Sequence, residues 1–232
     1  MSDKTELARL PIGDLAELTR GLYFLFWSLL VFVLALLETL VVPAGQPFPI
    51  LFLGAGGMGA LVGAYRLSLI QGLGPTWQKR TRRLLVVTGL VGYFSLVYLM
   101  WRQVPAHWYL LAQVLLFFDL VIVMLGLLCP LVEQLARAAD RPHLACQSVW
   151  FGSMAVLLLV PADLLISRLL VVATQHGRDP LGSLQLWLAD IPRWTILSGL
   201  VPVALLLSLL WTAKDLTLEA LLAKSIPVSR PE

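Results

Sequence analysis

The sequence predicts an all-α polytopic integral membrane protein, a six-transmembrane-helix bundle with both termini in the cytoplasm. Three observations predict it. Of 232 residues, 59% are hydrophobic and 13% charged, with a mean hydropathy of +0.84, where soluble domains carry about 25% charged residues. The apolar residues gather into six stretches, each near the roughly 20 residues that a helix needs to cross a bilayer. Lys and Arg also fall unevenly between the connections. The formal net charge of +3 is small and sits beside apolar segments, so it reads as an orientation signal and excludes nucleic acid as a partner.

The first span covers 22–42 and follows twenty-one residues with the acids Asp3, Glu6, Asp14 and Glu17. It is longer than the apolar core of a cleaved signal, which runs to about 15 residues, and reads as a retained anchor. Leu10, Leu15 and Leu18 among charges describe either an interfacial amphipathic helix or a partly ordered polar tail. The second span, 50–70, follows the breakers Pro43, Gly45, Pro47 and Pro49, and the third, 84–101, follows Gly72, Gly74 and Pro75. The fourth, 108–131, begins after Pro105 and ends at Pro130; the fifth is 145–174 and the sixth 194–211. Between the last two, Leu181, Leu184, Leu186 and Leu188, bounded by Pro180 and Pro192, predict a short interfacial helix. The chain thus divides into a cytoplasmic N-terminal segment, 1–21, a transmembrane domain, 22–213, and a short cytoplasmic C-terminal tail, 214–232.

With the amino terminus inside, the inner segments hold twelve basic residues, and the outer ones only Arg102, Arg178 and Arg193. That bias orients both termini to the cytoplasm. All eight tryptophans fall near span ends, where an indole keeps its ring in lipid and its N–H in water. The membrane expected is a bacterial inner (plasma) membrane. Cys129 and Cys146 flank one cytoplasmic loop and are expected to stay reduced.

Several side chains need explaining. The segment 54–64, GAGGMGALVGA, leaves little bulk along one helix, and Gly54, Gly56, Gly59 and Gly63 form a packing face for another backbone. Lys79, Arg80, Arg82 and Arg83 close the loop 71–83, suited to anionic lipid or to docking a cytoplasmic partner. Asp119 and Asp163 lie deep in the fourth and fifth spans, at a common depth, with the helix-distorting Pro161 beside the second. An ionised carboxylate there costs about 2.5 kcal/mol or more, so proton sharing, a cation or an arginine must neutralise the pair. Such residues serve as an ion or proton site or as buried polar contacts. Glu38 and Arg168, both towards the outer face, are candidates for an ion pair.

No zinc motif HExxH, nucleophile turn GxSxG or phosphate loop GxxxxGK[ST] is present, and His107, His143 and His176 all fall at span ends or in loops. No catalytic residue, metal site or cofactor is therefore assigned. In layout alone the chain is similar to the permease subunits of ABC exporters, a likeness that implies a separate cytoplasmic ATPase docked on 71–83 and 133–143. The first functional expectation is accordingly a transport-associated membrane subunit dependent on partners for energy. The alternative is a non-catalytic structural or assembly subunit of a larger membrane complex, and the third is a lipid-modifying enzyme. Expected partners are membrane lipids and other membrane subunits or further copies of the chain.

Overall fold

The computed structural model describes residues 6–41, 48–105 and 107–225, without the side chains at 40–41, 48–49 and 193–198. Among the described residues the chain forms eight helices and no strand: α1 (Glu6–Arg9), α2 (Ile12–Val41), α3 (Phe48–Ser68), α4 (Gly74–Gln103), α5 (Trp108–Ala138), α6 (Pro142–Gln175), α7 (Pro180–Asp190) and α8 (Arg193–Ser225). Six of these are long and apolar enough to cross a membrane. Residues 1–5 and 226–232 of the two proposed tails, and the breakers Pro43, Gly45 and Pro47, lie outside the described residues.

Packing follows chain order. Helix α2 lies against α3, α3 against α4, α4 against α5, α5 against α6, and α6 against α8, which returns to α2 and closes the ring; α8 also touches α5. Aromatic rings from three helices fill the middle, with Tyr98 stacked on Phe117 at 5.4 Å and Phe32 edge-on to Phe117 at 6.3 Å. The α2–α3 contact is the closest. A Cβ at Gly56 would lie 2.7 Å from the Phe32 backbone nitrogen, and one at Gly63 would lie 2.9 Å from the Gly21 carbonyl oxygen. Gly59 faces Ser28, whereas a Cβ at Gly54 meets nothing within 4 Å. Gly21, on the other helix of the pair, is a contact glycine that the 54–64 run does not reveal.

Chain reversals obey local chemistry. Asp140 takes a left-handed φ of 54° after α5, and the Arg141 N–H returns to the Ala136 carbonyl at 2.8 Å. After α6 the same turn falls on Gly177, with the Arg178 N–H on the Ala173 carbonyl at 3.0 Å. Asp179 then caps α7 through the Leu181 N–H at 3.1 Å, ahead of Pro180 in the first turn.

Several boundaries differ from the sequence reading, among them the end of α8, which continues to Ser225 where the sixth span is read to stop at 211. Helix α4 begins at Gly74, so Lys79 to Arg83 occupy its first turns instead of a loop; Pro75 suits a helix start and no breaker follows before Gln103. Helix α5 continues through Pro130 to Ala138. A proline there removes one hydrogen bond and leaves the Gly126 carbonyl without its donor, a loss that a packed apolar helix tolerates. Arg102, assigned above to an outer connection, is buried in the last turn of α4. Helix α2 starts ten residues before 22 and carries Leu15 and Leu18 into the core, both 0% exposed, so that amphipathic face rests on the bundle.

The end carrying the termini is laced by polar contacts. Lys224 Nζ donates to the Leu10 carbonyl at 2.6 Å and Thr19 Oγ1 to Thr217 Oγ1 at 3.0 Å, while Arg66 pairs with Glu17 at 2.7 Å. Arg80 turns inward to Gln134 Oε1 at 3.3 Å and to the Pro130 carbonyl, and Gln134 Nε2 donates to the Leu73 carbonyl at 3.2 Å. Lys79, Arg82 and Arg83 remain exposed. Arg80 therefore holds α4 to α5, leaving three of the four cations for lipid or a partner.

Candidate functional site

Asp119 lies eleven residues into α5 and Asp163 twelve residues before the end of α6, which sets both about 17 Å from the end opposite the termini. Their carboxyl groups are close enough to interact with each other. Two like charges this near each other would repel, so a proton, a cation or a donor from outside the bundle is what such a pair calls for. No arginine joins the pair among the described ion pairs. The two groups differ in surroundings. Asp163 is 9% exposed, whereas Asp119 is exposed on the side of the bundle, among Leu116, Val123 and the uncovered apolar residues of α6.

The surrounding surface is unusual within this bundle. Only 17% of the apolar window of α6 is buried, against 33–44% in the other five long helices. Val156, Leu157, Val160 and Leu164 all lie open on this helix. Pro161 leaves the Leu157 carbonyl without a helical donor, as Pro130 does for Gly126. Leu157 and Gly126 both line one groove of about 520 Å³ between α5 and α6, together with Cys129, Glu133, Gly152 and Ser153. The groove runs from about two turns beyond the carboxyl pair towards the end carrying the termini. Cys129 is buried and Cys146 exposed, both as free thiols.

Other predicted partners are not brought together. Glu38 and Arg168 are both exposed and form no ion pair with each other among the described residues. Arg168 lines a separate pocket between α6 and α7. A second polar cluster escaped the sequence reading: Tyr98 Oη and Thr39 Oγ1 are 2.9 Å apart in the interior, with Arg102 buried one turn further along α4. Its only sequence signal is a hydroxyl-bearing residue on each of two apolar spans. Lys214 was equally hidden; it is buried, 2.6 Å from Asp215 and 3.6 Å from the centre of the Trp211 ring. Among the described residues no group of three or more His, Cys, Asp or Glu side chains is arranged to hold a metal ion.

What the site can do chemically is limited and specific. It can share or pass one proton, accept a hydrogen bond from a donor arriving at the exposed Asp119, or attract a cation. The chain matches no protein-family model, no curated protein and no solved structure. The residues alone therefore carry the functional reading.

Proposed function

We propose that this chain is a non-catalytic subunit of a larger membrane protein complex and attaches to its partner through the α5–α6 face. The observation that carries the proposal is Asp119, a carboxyl exposed on an apolar surface beside the buried Asp163. A polar group facing lipid is costly, and a donor on a partner helix removes that cost. The sparse cover of α6 supports the same face. In this reading the six helices cross a bacterial inner membrane with both termini in the cytoplasm, where Lys79, Arg82 and Arg83 meet anionic lipid or a cytoplasmic partner.

Gentle solubilisation followed by native mass spectrometry tests it. The wild type is expected to leave the membrane with a second membrane protein attached. Asp119→Leu, which suits a lipid-facing position, is expected to release that partner about tenfold or more, because losing one side of a buried charged contact costs about 2 kcal/mol or more. A solitary wild type, or an Asp119→Leu protein that keeps its partner, contradicts the attachment.

A transport role is the second reading, favoured by the groove lined by Gly126 and Leu157, the two residues whose carbonyls the prolines release, about two turns from the carboxyl pair. It requires Asp163→Asn to abolish flux in reconstituted vesicles while the complex stays assembled.

A further inference from the structure

At the end of the bundle opposite the termini, α6 and α7 fold against each other and border an open pocket of about 740 Å³. This end is poor in cations, holding Arg102, Arg168, Arg178 and Arg193. Arg102 is buried within the bundle, yet Arg168 and Arg178, distant by ten positions in sequence, line the same pocket. A single carboxylate, Asp190, stands at its wall. Among the described residues neither arginine is in an ion pair. The charge inside is thus in excess and unspent.

His176 and Ser183 also line it, and the rest of the lining is apolar. Leu165, Leu169 and Val172 form a wall on α6, and Trp187 faces it from α7. Arg168 lies seven residues before the end of α6, about 10 Å at helical rise, within reach of a membrane surface for a long side chain. Arg178 follows the helix end itself. Two cations bordering an apolar wall near the end of α6 are complementary to one kind of occupant. A small soluble anion has no use for the wall, and a zwitterionic lipid brings its own cation to a site already rich in them.

We propose that the α6–α7 pocket is a binding site for an anionic phospholipid, its phosphodiester held between Arg168 and Arg178 and an acyl chain laid along Leu165, Leu169 and Val172. The site is distinct from the carboxyl pair and requires only that the six long helices sit in a bilayer. It does not depend on the attachment of a partner at α5–α6.

Native mass spectrometry of the detergent-solubilised full chain, titrated with phosphatidylglycerol or phosphatidylcholine, reads the proposal directly. The wild type is expected to retain phosphatidylglycerol in preference, and millimolar inorganic phosphate is expected not to displace it. Arg178→Gln, in an exposed connection where folding is unaffected, should weaken retention about fivefold, and adding Arg168→Gln should bring the loss to about thirtyfold, the value for two basic residues near an anionic membrane surface. Equal retention of the two lipids by the wild type overturns the proposal, as does an undiminished preference in Arg178→Gln. Release by inorganic phosphate alone would make this a small-anion site and overturn the lipid assignment.

Discussion

Gly63→Ile is expected to prevent the bundle from forming, while Gly57→Ala, six residues away on the same helix, leaves it intact or firmer. A Cβ at Gly63 would stand 2.8 Å from Leu25 Cγ and 2.9 Å from both the Leu25 nitrogen and the Gly21 carbonyl oxygen. Two of those three atoms are backbone and cannot rotate away. The alanine variant alone must push α2 from α3, at a cost of about 1–3 kcal/mol, and the branched isoleucine adds three further carbons to the same gap. Gly56→Ala belongs with it, because its Cβ would meet the Phe32 nitrogen and Cα at 2.7 and 2.8 Å. At Gly57 nothing lies within 4 Å, so alanine there only gains the helix preference it holds over glycine, up to about 1 kcal/mol. Gly59→Ala is intermediate, since the obstructing atom is the Ser28 hydroxyl, at the end of a side chain that can turn. Denaturation in mixed detergent micelles ranks the series. Equal stability for Gly56→Ala and Gly57→Ala would contradict the close α2–α3 approach.

The second large effect is expected at Trp77. This indole is 0% exposed, stands in the first turn of α4, and donates from Nε1 to the Leu67 carbonyl at the end of α3 at 3.1 Å. It therefore fills the core and ties the end of one long helix to the start of the next. Trp77→Ala is expected to cost about 3–5 kcal/mol through the cavity it leaves. Trp77→Phe keeps most of the ring and loses the hydrogen bond, a cost nearer 1 kcal/mol. The same denaturation measurement separates the two, and an alanine variant within about 0.5 kcal/mol of wild type, as for an exposed position, would place the ring in a surface belt instead.

Trp77 also illustrates what the sequence does and does not disclose. Proximity to a span end is legible from composition, and Trp27, Trp108 and Trp150 are indeed exposed there. Whether an indole at that depth points outward or plugs a helix junction depends on which carbonyls lack donors, and that is a tertiary property. Trp101 repeats the pattern, fully buried and donating to the Pro105 carbonyl at 3.0 Å. The six long helices were legible because a bilayer demands long apolar runs, and periodicity has little part in that demand. Their ends were less so: Pro130 reads as a stop in isolation, yet the packed neighbours of α5 carry the helix past it. For the candidate site, the common depth of Asp119 and Asp163 follows from counting residues at helical rise. Their contact needs α5 and α6 to be neighbours facing each other at that level, and the exposure of Asp119 needs the rotation of α5 about its axis. Neither is written in a single sequence, for the same reason that Tyr98 and Thr39, 59 positions apart, could not be paired by inspection.

The claim that α5–α6 is an attachment face is tested most directly by photo-crosslinking in intact membranes. Probes at Leu116 and Val123 on α5 and at Val160 on α6 flank the carboxyl pair, and a probe at Tyr93 on α4 reports an equally exposed surface elsewhere in the bundle. The account predicts a protein adduct of one discrete mass from the three α5–α6 positions, absent from Tyr93 and lost when Asp119→Leu is combined with the probe. Adducts with lipid alone at all four positions, or the same protein adduct from Tyr93, would contradict it.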